Sequence, residues 1–240
     1  MSGHSKWATI KHKKGAADKA RGKLFAKLIK QVEVAARQGG GDPTGNPTLR
    51  TMFQKAREAS VPLDTIERAI KRGTGELEGV DYQSVTYEGY APNGVALLVE
   101  CLTDNRNRTG GEIRAIFSKN GGALAEPGAV AWQFSRTGLL LVPKSVTEDD
   151  LMTVALDAGA EDIVDDGELW RVTCPPSDFP AVREALDAAG IPVESGEVTM
   201  VPSTSVLLDT DAAARSVLKL VDLLDDNDDV EGVYGNFDVP

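Results

Sequence analysis

The sequence predicts an α+β protein in which a small N-terminal helical domain is followed by two α/β domains, the last ferredoxin-like and inserted into the middle one. Apolar residues between residues 24 and 73 recur at helical spacing. Residues 138–201 alternate in the order β-α-β-β-α-β, which is that of a ferredoxin-like sandwich. A final helix and strand have no partner next to them in the sequence. They would complete the middle domain, with the strand joining the sheet that begins within residues 82–136. The predicted domains are residues 1–78, 79–136 plus 203–240, and 137–202.

The helical domain contains three predicted helices. The first helix follows a segment rich in Lys and Gly. Its apolar residues recur at helical spacing from Leu24 onward, and it ends at Gly39. The second has Asn46 as its N-cap, with a proline directly after it. The third begins near Pro62 and ends at Gly73. The apolar stripes are narrow, so most Lys and Arg side chains are expected on the outside of this domain.

The two α/β domains are predicted from strand and helix patterns in turn. Strands 82–90 and 94–102 flank a hairpin signal at Ala91-Pro92-Asn93-Gly94. The helix that follows has Thr109-Gly110-Gly111-Glu112 as a candidate capping box. The later predicted elements are strand 138–143, helix 148–158, strands 161–165 and 168–174, helix 178–189, strand 193–201, helix 210–225 and strand 230–237.

Charge is distributed unevenly along the chain. The formal net charge is −11, yet residues 1–72 hold 16 Lys and Arg against 6 Asp and Glu. The remaining residues hold 10 basic and 31 acidic side chains. A polyanion would be attracted to the first region and repelled by the second. The alternative is that the basic helices neutralise the acidic domains of the same molecule.

The strongest candidate site is the basic segment at the start of the chain. Lysine binds phosphates without demanding a particular base, and a neighbouring histidine suits stacking on an exposed base. Three of the lysines, Lys23, Lys27 and Lys30, share one helical face because they are spaced i, i+4 and i+7. The alternative interpretation is a solvated helix face. The predicted nucleic-acid-binding residues are Lys6, Lys11, His12, Lys13, Lys14, Lys19, Arg21, Lys23, Lys27 and Lys30.

A second candidate site precedes a glycine-rich helix start. Arg106 and Arg108 stand directly before Thr109 and Gly110, which would place cations beside free backbone N–H groups. Such an arrangement predicts an anion site. The alternative is an ordinary capped turn whose arginines pair with nearby Asp and Glu.

Metal and catalytic sites are not predicted. The soft ligands His4, His12, Cys101 and Cys174 include no pair with zinc-site spacing. The acidic run 225–229 resembles a calcium loop but lacks its turn glycine and its bidentate glutamate, so a solvated acidic loop is expected. No nucleophile arrangement stands out. The sequence therefore predicts a protein that is not an enzyme and has no cofactor, no metal and no small-molecule substrate.

The expected compartment is the cytoplasm. No stretch approaches the length of an apolar transmembrane helix, and the basic N-terminus lacks the apolar segment of a signal peptide. No membrane partner is therefore predicted. Both cysteines fall in strand-like runs and are expected to be small buried hydrophobic residues without a disulfide.

Several long motifs resemble the YebC/PmpR family, whose mitochondrial relatives activate translation of a cytochrome oxidase subunit. The opening MSGHSKWATIKHKK is similar to the start of those proteins. The resemblance is dense over the first 135 residues and continues beyond them in length and pattern. The motifs that carry it occupy residues 1–14, 21–25, 40–43, 66–75, 87–90, 100–109 and 118–122.

The resemblance implies a cytoplasmic protein with a helical domain and two α/β domains. Members of the family are labelled DNA-binding transcriptional regulators, and others resemble ribosome-associated translation factors that help synthesis through proline-rich stretches. We therefore expect a nucleic-acid-binding regulator of gene expression, with DNA as its partner. The alternatives are binding to ribosomal or transfer RNA on the ribosome, and a protein-interaction adaptor that acts through the ferredoxin-like unit.

Overall fold

The computed structural model describes residues 18–239, with side chains from residue 22 onward. Its first elements are three helices, α1 (Asp18–Gly39), α2 (Pro47–Glu58) and α3 (Leu63–Gly73). The predicted N-cap of α2 is confirmed, because the side chain of Asn46 accepts a hydrogen bond from the Leu49 amide. Helix α1 begins earlier than its apolar spacing predicts.

The three helices pack around a small core of their own, with Val32, Leu49 and Ile66 fully buried. Helix α3 approaches α1 very closely at Gly73. A Cβ atom added there would lie 2.4 Å from the carbonyl oxygen of Glu33, so only glycine permits this approach. We call residues 18–73 the helical unit.

The next elements are β1 (Gln83–Tyr90), β2 (Ala96–Thr103), α4 (Arg106–Lys119) and β3 (Ala123–Leu124). The predicted hairpin is confirmed, and its turn places Asn93 and Gly94 at φ values of 65° and 75°. The predicted capping box is wrong. The N-cap of α4 is Asn105, whose side chain accepts from the Arg108 amide, so Thr109 lies inside the helix.

The ferredoxin-like unit comprises β4 (Phe134–Pro143), α5 (Glu148–Asp157), β5 (Asp162–Asp166), β6 (Leu169–Cys174), α6 (Phe179–Ala188) and β7 (Ser195–Pro202). Its antiparallel sheet has the order β5-β6-β4-β7, as the β-α-β-β-α-β pattern predicts. Helices α5 and α6 cover one face, where Leu140, Leu151, Val172 and Leu186 form a buried core.

The chain then returns to the middle sheet through β8 (Val206–Leu207), α7 (Asp211–Asp225), β9 (Val230–Gly235) and β10 (Phe237–Asp238). Strand β9 pairs antiparallel with β2, which gives the sheet order β3-β1-β2-β9. Helices α4 and α7 contribute Phe117 and Leu220 to its core. This pairing confirms the predicted insertion of the ferredoxin-like unit, while the residue boundaries of the three domains stay a prediction.

The last predicted strand is interrupted by Asn236. Its side chain accepts a hydrogen bond from the Ala96 amide and donates one to Gln133, and the chain beyond it pairs in parallel with β8. The short strand β8 is absent from the sequence prediction. Cys101 and Cys174 are free and buried, as predicted.

Candidate nucleic-acid interface

Three lysines of α1 lie against the end of α7. We call Lys23, Lys27 and Lys30 the lysine row and residues 225–229 the acidic loop. The row has the predicted i, i+4, i+7 spacing, which places its members on one face of the helix. Lys23 Nζ lies 2.6 Å from Oδ1 of Asp226 and 2.7 Å from the carbonyl oxygen of the same residue.

The other two lysines also bind main-chain oxygens of the acidic loop. Lys27 Nζ donates to the carbonyl oxygen of Asp225 at 2.9 Å, and Lys30 Nζ donates to that of Asp228 at the same distance. Asp225 is the last residue of α7. Carbonyl groups at a helix C-terminus lack partners within the helix and carry the negative end of its dipole. The lysine row supplies those partners together with positive charge.

The carboxylate of Asp229 is the buried centre of this contact. The residue is only 5% exposed. Its Oδ1 accepts from Lys30 Nζ at 3.0 Å, and its Oδ2 accepts from Arg108 at 2.6 Å and from the Thr109 hydroxyl at 2.8 Å. The hydroxyl of Thr103 also lies 3.2 Å from Oδ2. One carboxylate therefore joins α1, α4 and the end of β2.

These hydrogen bonds determine the charge state of Asp229. Burial opposes its ionisation, but the hydrogen bonds from Arg108, Thr109 and Lys30 outweigh burial and lower the pKa to about 2. The same carboxylate raises the pKa of the Arg108 guanidinium. Both groups are therefore fully charged at neutral pH.

The contact between α1 and the middle sheet is polar beyond the lysine row as well. The side-chain amide of Gln31 donates to the carboxyl group of Glu231 on β9, and burial raises the pKa of that carboxyl. A cleft of about 460 Å³ lies beside it, lined in part by Met52, Glu100 and Cys101. The apolar cores of the helical unit and of the middle sheet are separate clusters.

The segment after α3 is bound to the helical unit by a second buried carboxylate. Glu33, 2% exposed, accepts from Arg72 Nε at 2.8 Å and from the Val80 amide at 3.1 Å. Arg37 donates to Asp81 at 2.9 Å. Residues 74–81 are therefore attached to the helical unit, directly before the first strand begins.

The predicted nucleic-acid-binding residues fall into three groups. The lysine row is described in full, and each of its ammonium groups contacts the acidic loop. Lys19 and Arg21 belong to α1, but the structure describes only their backbone and not their side chains. Five of the predicted residues lie outside the described residues: Lys6, Lys11, His12, Lys13 and Lys14.

The candidate anion site is filled by a carboxylate of the chain itself. Arg108 and Thr109 both donate to Asp229, whereas Arg106 is exposed and has no ion pair within residues 22–239. Gly110 lies inside α4 rather than at its start. The amides expected at a helix N-terminus are therefore not available there, and the four residues do not form one open site. Arg108 pairs with acidic residues, as the alternative interpretation states.

The prediction of a solvated acidic loop is wrong for Asp229. The lysines that bind the loop lie about 200 positions away in the sequence, so no local pattern shows their approach. The exposed basic residues Lys55, Arg57 and Lys71 of α2 and α3 are also absent from the predicted site. They form no ion pair with another described residue. Their positions on the polar faces of two amphipathic helices are the signal that could have found them.

Two further observations apply to residues 18–239 only. The structure has no group of His, Cys, Asp and Glu side chains there that could hold a metal ion. None of the helices in that range is long and apolar enough to cross a membrane.

Two family models match the chain and together cover most of it. One describes the N-terminal domain of TACO1/YebC proteins and matches residues 5–76. The other describes their second and third domains and matches residues 82–237. The first match spans the helical unit and the lysine row, and the second spans both sheets and the acidic loop.

Similar proteins match over their full length. A probable transcriptional regulatory protein from Salinispora arenicola is 61% identical over 100% of this chain and 96% of its own. One from Geobacter sulfurreducens is 56% identical with the same coverage. The crystal structure of a conserved hypothetical protein, Aq1575 from Aquifex aeolicus, superposes with a TM-score of 0.83 at 45% identity and covers 98% of both chains.

Proposed function

Because the chain belongs to the TACO1/YebC family, we propose that it regulates gene expression by binding the backbone of a nucleic acid through its basic N-terminal region, without catalysis. One observation carries the proposal. The lysine row already binds main-chain carbonyl oxygens and carboxylate oxygens of the acidic loop. Phosphate oxygens of a nucleic acid are acceptors of the same kind and carry the negative charge that the two carboxylates supply here.

The charge distribution supports this proposal. Sixteen of the 26 Lys and Arg residues fall in residues 1–72, and most of the acidic residues fall after them. Lys55, Arg57 and Lys71 extend the exposed basic surface of the helical unit. A phosphate backbone would be attracted to this unit and repelled by the two sheets, which would orient the bound molecule.

DNA is the partner that the names of the relatives favour, since the similar proteins from Salinispora and Geobacter are named probable transcriptional regulatory proteins. A helix that enters the major groove presents base-contacting side chains along one face. Helix α3 instead exposes the acidic residues Asp64 and Glu67. This observation favours the second candidate, binding of structured ribosomal or transfer RNA by a translation factor, in which lysines hold phosphates without base contacts.

Crosslinking in cells, followed by sequencing of the bound nucleic acid, tests the proposal. The test variant is Lys11→Glu/Lys13→Glu/Lys23→Glu, which reverses two lysines of the basic segment and the exposed lysine of the lysine row. The matched control is Arg114→Glu/Lys119→Glu/Lys219→Glu, which changes the net charge equally at exposed positions of α4 and α7. We expect recovery of bound nucleic acid to be lost in the test variant and retained in the control.

Each outcome has a definite meaning. Discrete promoter DNA would support transcriptional regulation, and ribosomal or transfer RNA would support a translation factor. Binding of nucleic acid that survives in both variants would contradict backbone binding by the basic N-terminal region and would favour a protein-interaction adaptor.

A further inference from the structure

We infer that the acidic loop is a built-in competitor of the nucleic acid, which must leave the lysine row before a phosphate backbone can occupy it. The inference rests on the proposed function and adds a mode of regulation to the same surface. It predicts two arrangements of the molecule: a closed one, in which α1 holds the loop, and an open one, in which the lysine row is free for phosphates.

The lysine row has no unused member. Each of the three ammonium groups lies within 3.0 Å of at least one loop oxygen. The side chain of Lys30 is only 17% exposed, because Asp229 lies on one side of it and the ring of Tyr82 on another. While the loop is in place, Lys30 is covered, and a phosphate at Lys23 or Lys27 would have to compete with the loop oxygens for the same ammonium groups.

Opening would disrupt polar contacts rather than a shared apolar core. The cores of the helical unit and the middle sheet do not merge, so separating the two bodies leaves each core intact. The hydrogen bonds that opening breaks include those of the lysine row and the pair Gln31–Glu231. The exposed contacts, such as Lys23 with Asp226, are individually weak in water and are screened by salt, whereas the buried Lys30–Asp229 pair sets most of the cost of opening. The interface is therefore suited to exchange.

The chain also provides a place to pivot. Residues 74–81 are attached to the helical unit through Glu33 and Arg37. Strand β1 is attached to the middle sheet from Gln83 onward. Between these two bodies lies Tyr82, so a rotation there would move the helical unit together with its linker and would leave the sheet unchanged.

Electrostatics would make the two arrangements exclusive. The acidic loop carries four aspartates in five residues, and a nucleic-acid strand carries one negative charge per phosphate. A bound strand and the loop would therefore repel each other across the lysine row. Binding of nucleic acid would hold the molecule open, and the loop would lower the affinity for weakly bound strands.

The test measures affinity for a fluorescein-labelled DNA duplex and an RNA hairpin by anisotropy at low and moderate salt. The loop variant is Asp225→Asn/Asp226→Asn/Asp228→Asn, which keeps the buried Asp229. The matched control is Asp157→Asn/Glu184→Gln/Asp209→Asn, which removes the same charge at exposed positions outside the loop. Circular dichroism and the urea midpoint verify that both variants are folded.

We expect the loop variant to bind about threefold to fivefold more tightly than the wild type, because it removes the exposed Lys23–Asp226 ion pair and two further negative charges beside the lysine row, and an exposed pair is worth up to about 1 kcal/mol. The control should change affinity by less than about twofold. Equal tightening in both variants would overturn the competitor role, because overall charge would then explain the effect. Absence of binding by the wild type and by both variants would instead overturn the proposed function.

Discussion

Two acidic segments of this protein have similar composition and different surroundings. The acidic loop 225–229 is bound along its length by lysines of α1, and Asp229 within it is buried. The segment 161–166, which includes β5 at the edge of the ferredoxin-like sheet, also has four acidic residues. One ion pair of this segment joins Asp165 to Lys144 at 2.9 Å, and the Asp165 side chain is 67% exposed.

The difference shows that the local density of acidic residues does not determine what they do. The loop stands at the C-terminus of α7, where the helix dipole adds negative charge, and it faces α1, a helix of the chain's basic region. The β5 segment has neither feature. We therefore expect changes in the loop to alter stability and binding, and equivalent changes at β5 to alter little.

The largest expected effect is that of Asp229→Asn. The substitution removes a buried carboxylate that satisfies Lys30, Arg108 and Thr109, and it should lower the free energy of unfolding by about 3 kcal/mol. Urea denaturation measures this change. Asp165→Asn on β5 is the matched control and should lower the free energy of unfolding by less than about 1 kcal/mol, because its ion pair is exposed on the aspartate side. A similar loss in both variants would remove the distinction between the two segments.

A smaller effect concerns pH. The pKa of Asp229 lies below its ordinary value, at about 2, so its contribution to stability is fully present above about pH 4 and is lost as the pH falls toward 2. The difference in unfolding free energy between the wild type and Asp229→Asn should therefore narrow by about 2 kcal/mol across that range. A constant difference from pH 5 to pH 2 would argue against the hydrogen-bonded carboxylate.

The two outer lysines should differ from each other. Lys30 is largely buried and contacts the carboxylate of Asp229, so Lys30→Met should cost about 1–2 kcal/mol of unfolding free energy. Lys23 pairs with the exposed Asp226, so Lys23→Met should cost less than about 1 kcal/mol, and less again at high salt. Urea midpoints at two salt concentrations test this order. Equal costs would mean that burial does not distinguish the two contacts.

The smallest expected effect is a change in the salt dependence of nucleic-acid binding. If six to eight lysines meet phosphates, the logarithm of the association constant should fall with the logarithm of salt concentration with a slope of roughly −5 to −7. Charge reversal of Lys11, Lys13 and Lys14 should make the slope shallower, by roughly 0.9 for each of these lysines that binds a phosphate. A flat response in the wild type would exclude a backbone-binding mode.

Much of the fold follows from local patterns. The helix of residues 47–58 is indicated by Asn46 and a proline, and the ferredoxin-like order follows from its strand and helix alternation. The start of α4 differs from the prediction because Asn105 competes with Thr109 as an N-cap, and only the backbone decides between them. The short pairing of β8 with β10 has too few residues to produce a pattern.

The candidate site was predictable only in part. Helical periodicity places the lysine row on one face of α1, because that spacing is local. Its contact with the acidic loop depends on the pairing of β9 with β2 across an inserted unit, and this pairing brings together residues about 200 positions apart. The same applies to Asp229, whose carboxylate is bound by side chains of α1, α4 and β2, all of them distant in the sequence.

The most direct test of the central claim is the distance between the helical unit and the middle sheet in solution. Spin labels at Glu58→Cys and Arg114→Cys report it, and the native thiols should stay unlabelled because both are buried, with burial raising the pKa of Cys101 to about 12. We predict a narrow distance distribution for the free protein. It should shift when an RNA hairpin or DNA duplex binds, and the Asp225→Asn/Asp226→Asn/Asp228→Asn variant should show part of that shift without nucleic acid. An unchanged distribution at saturating nucleic acid, with binding verified by anisotropy, would contradict the displacement of the acidic loop.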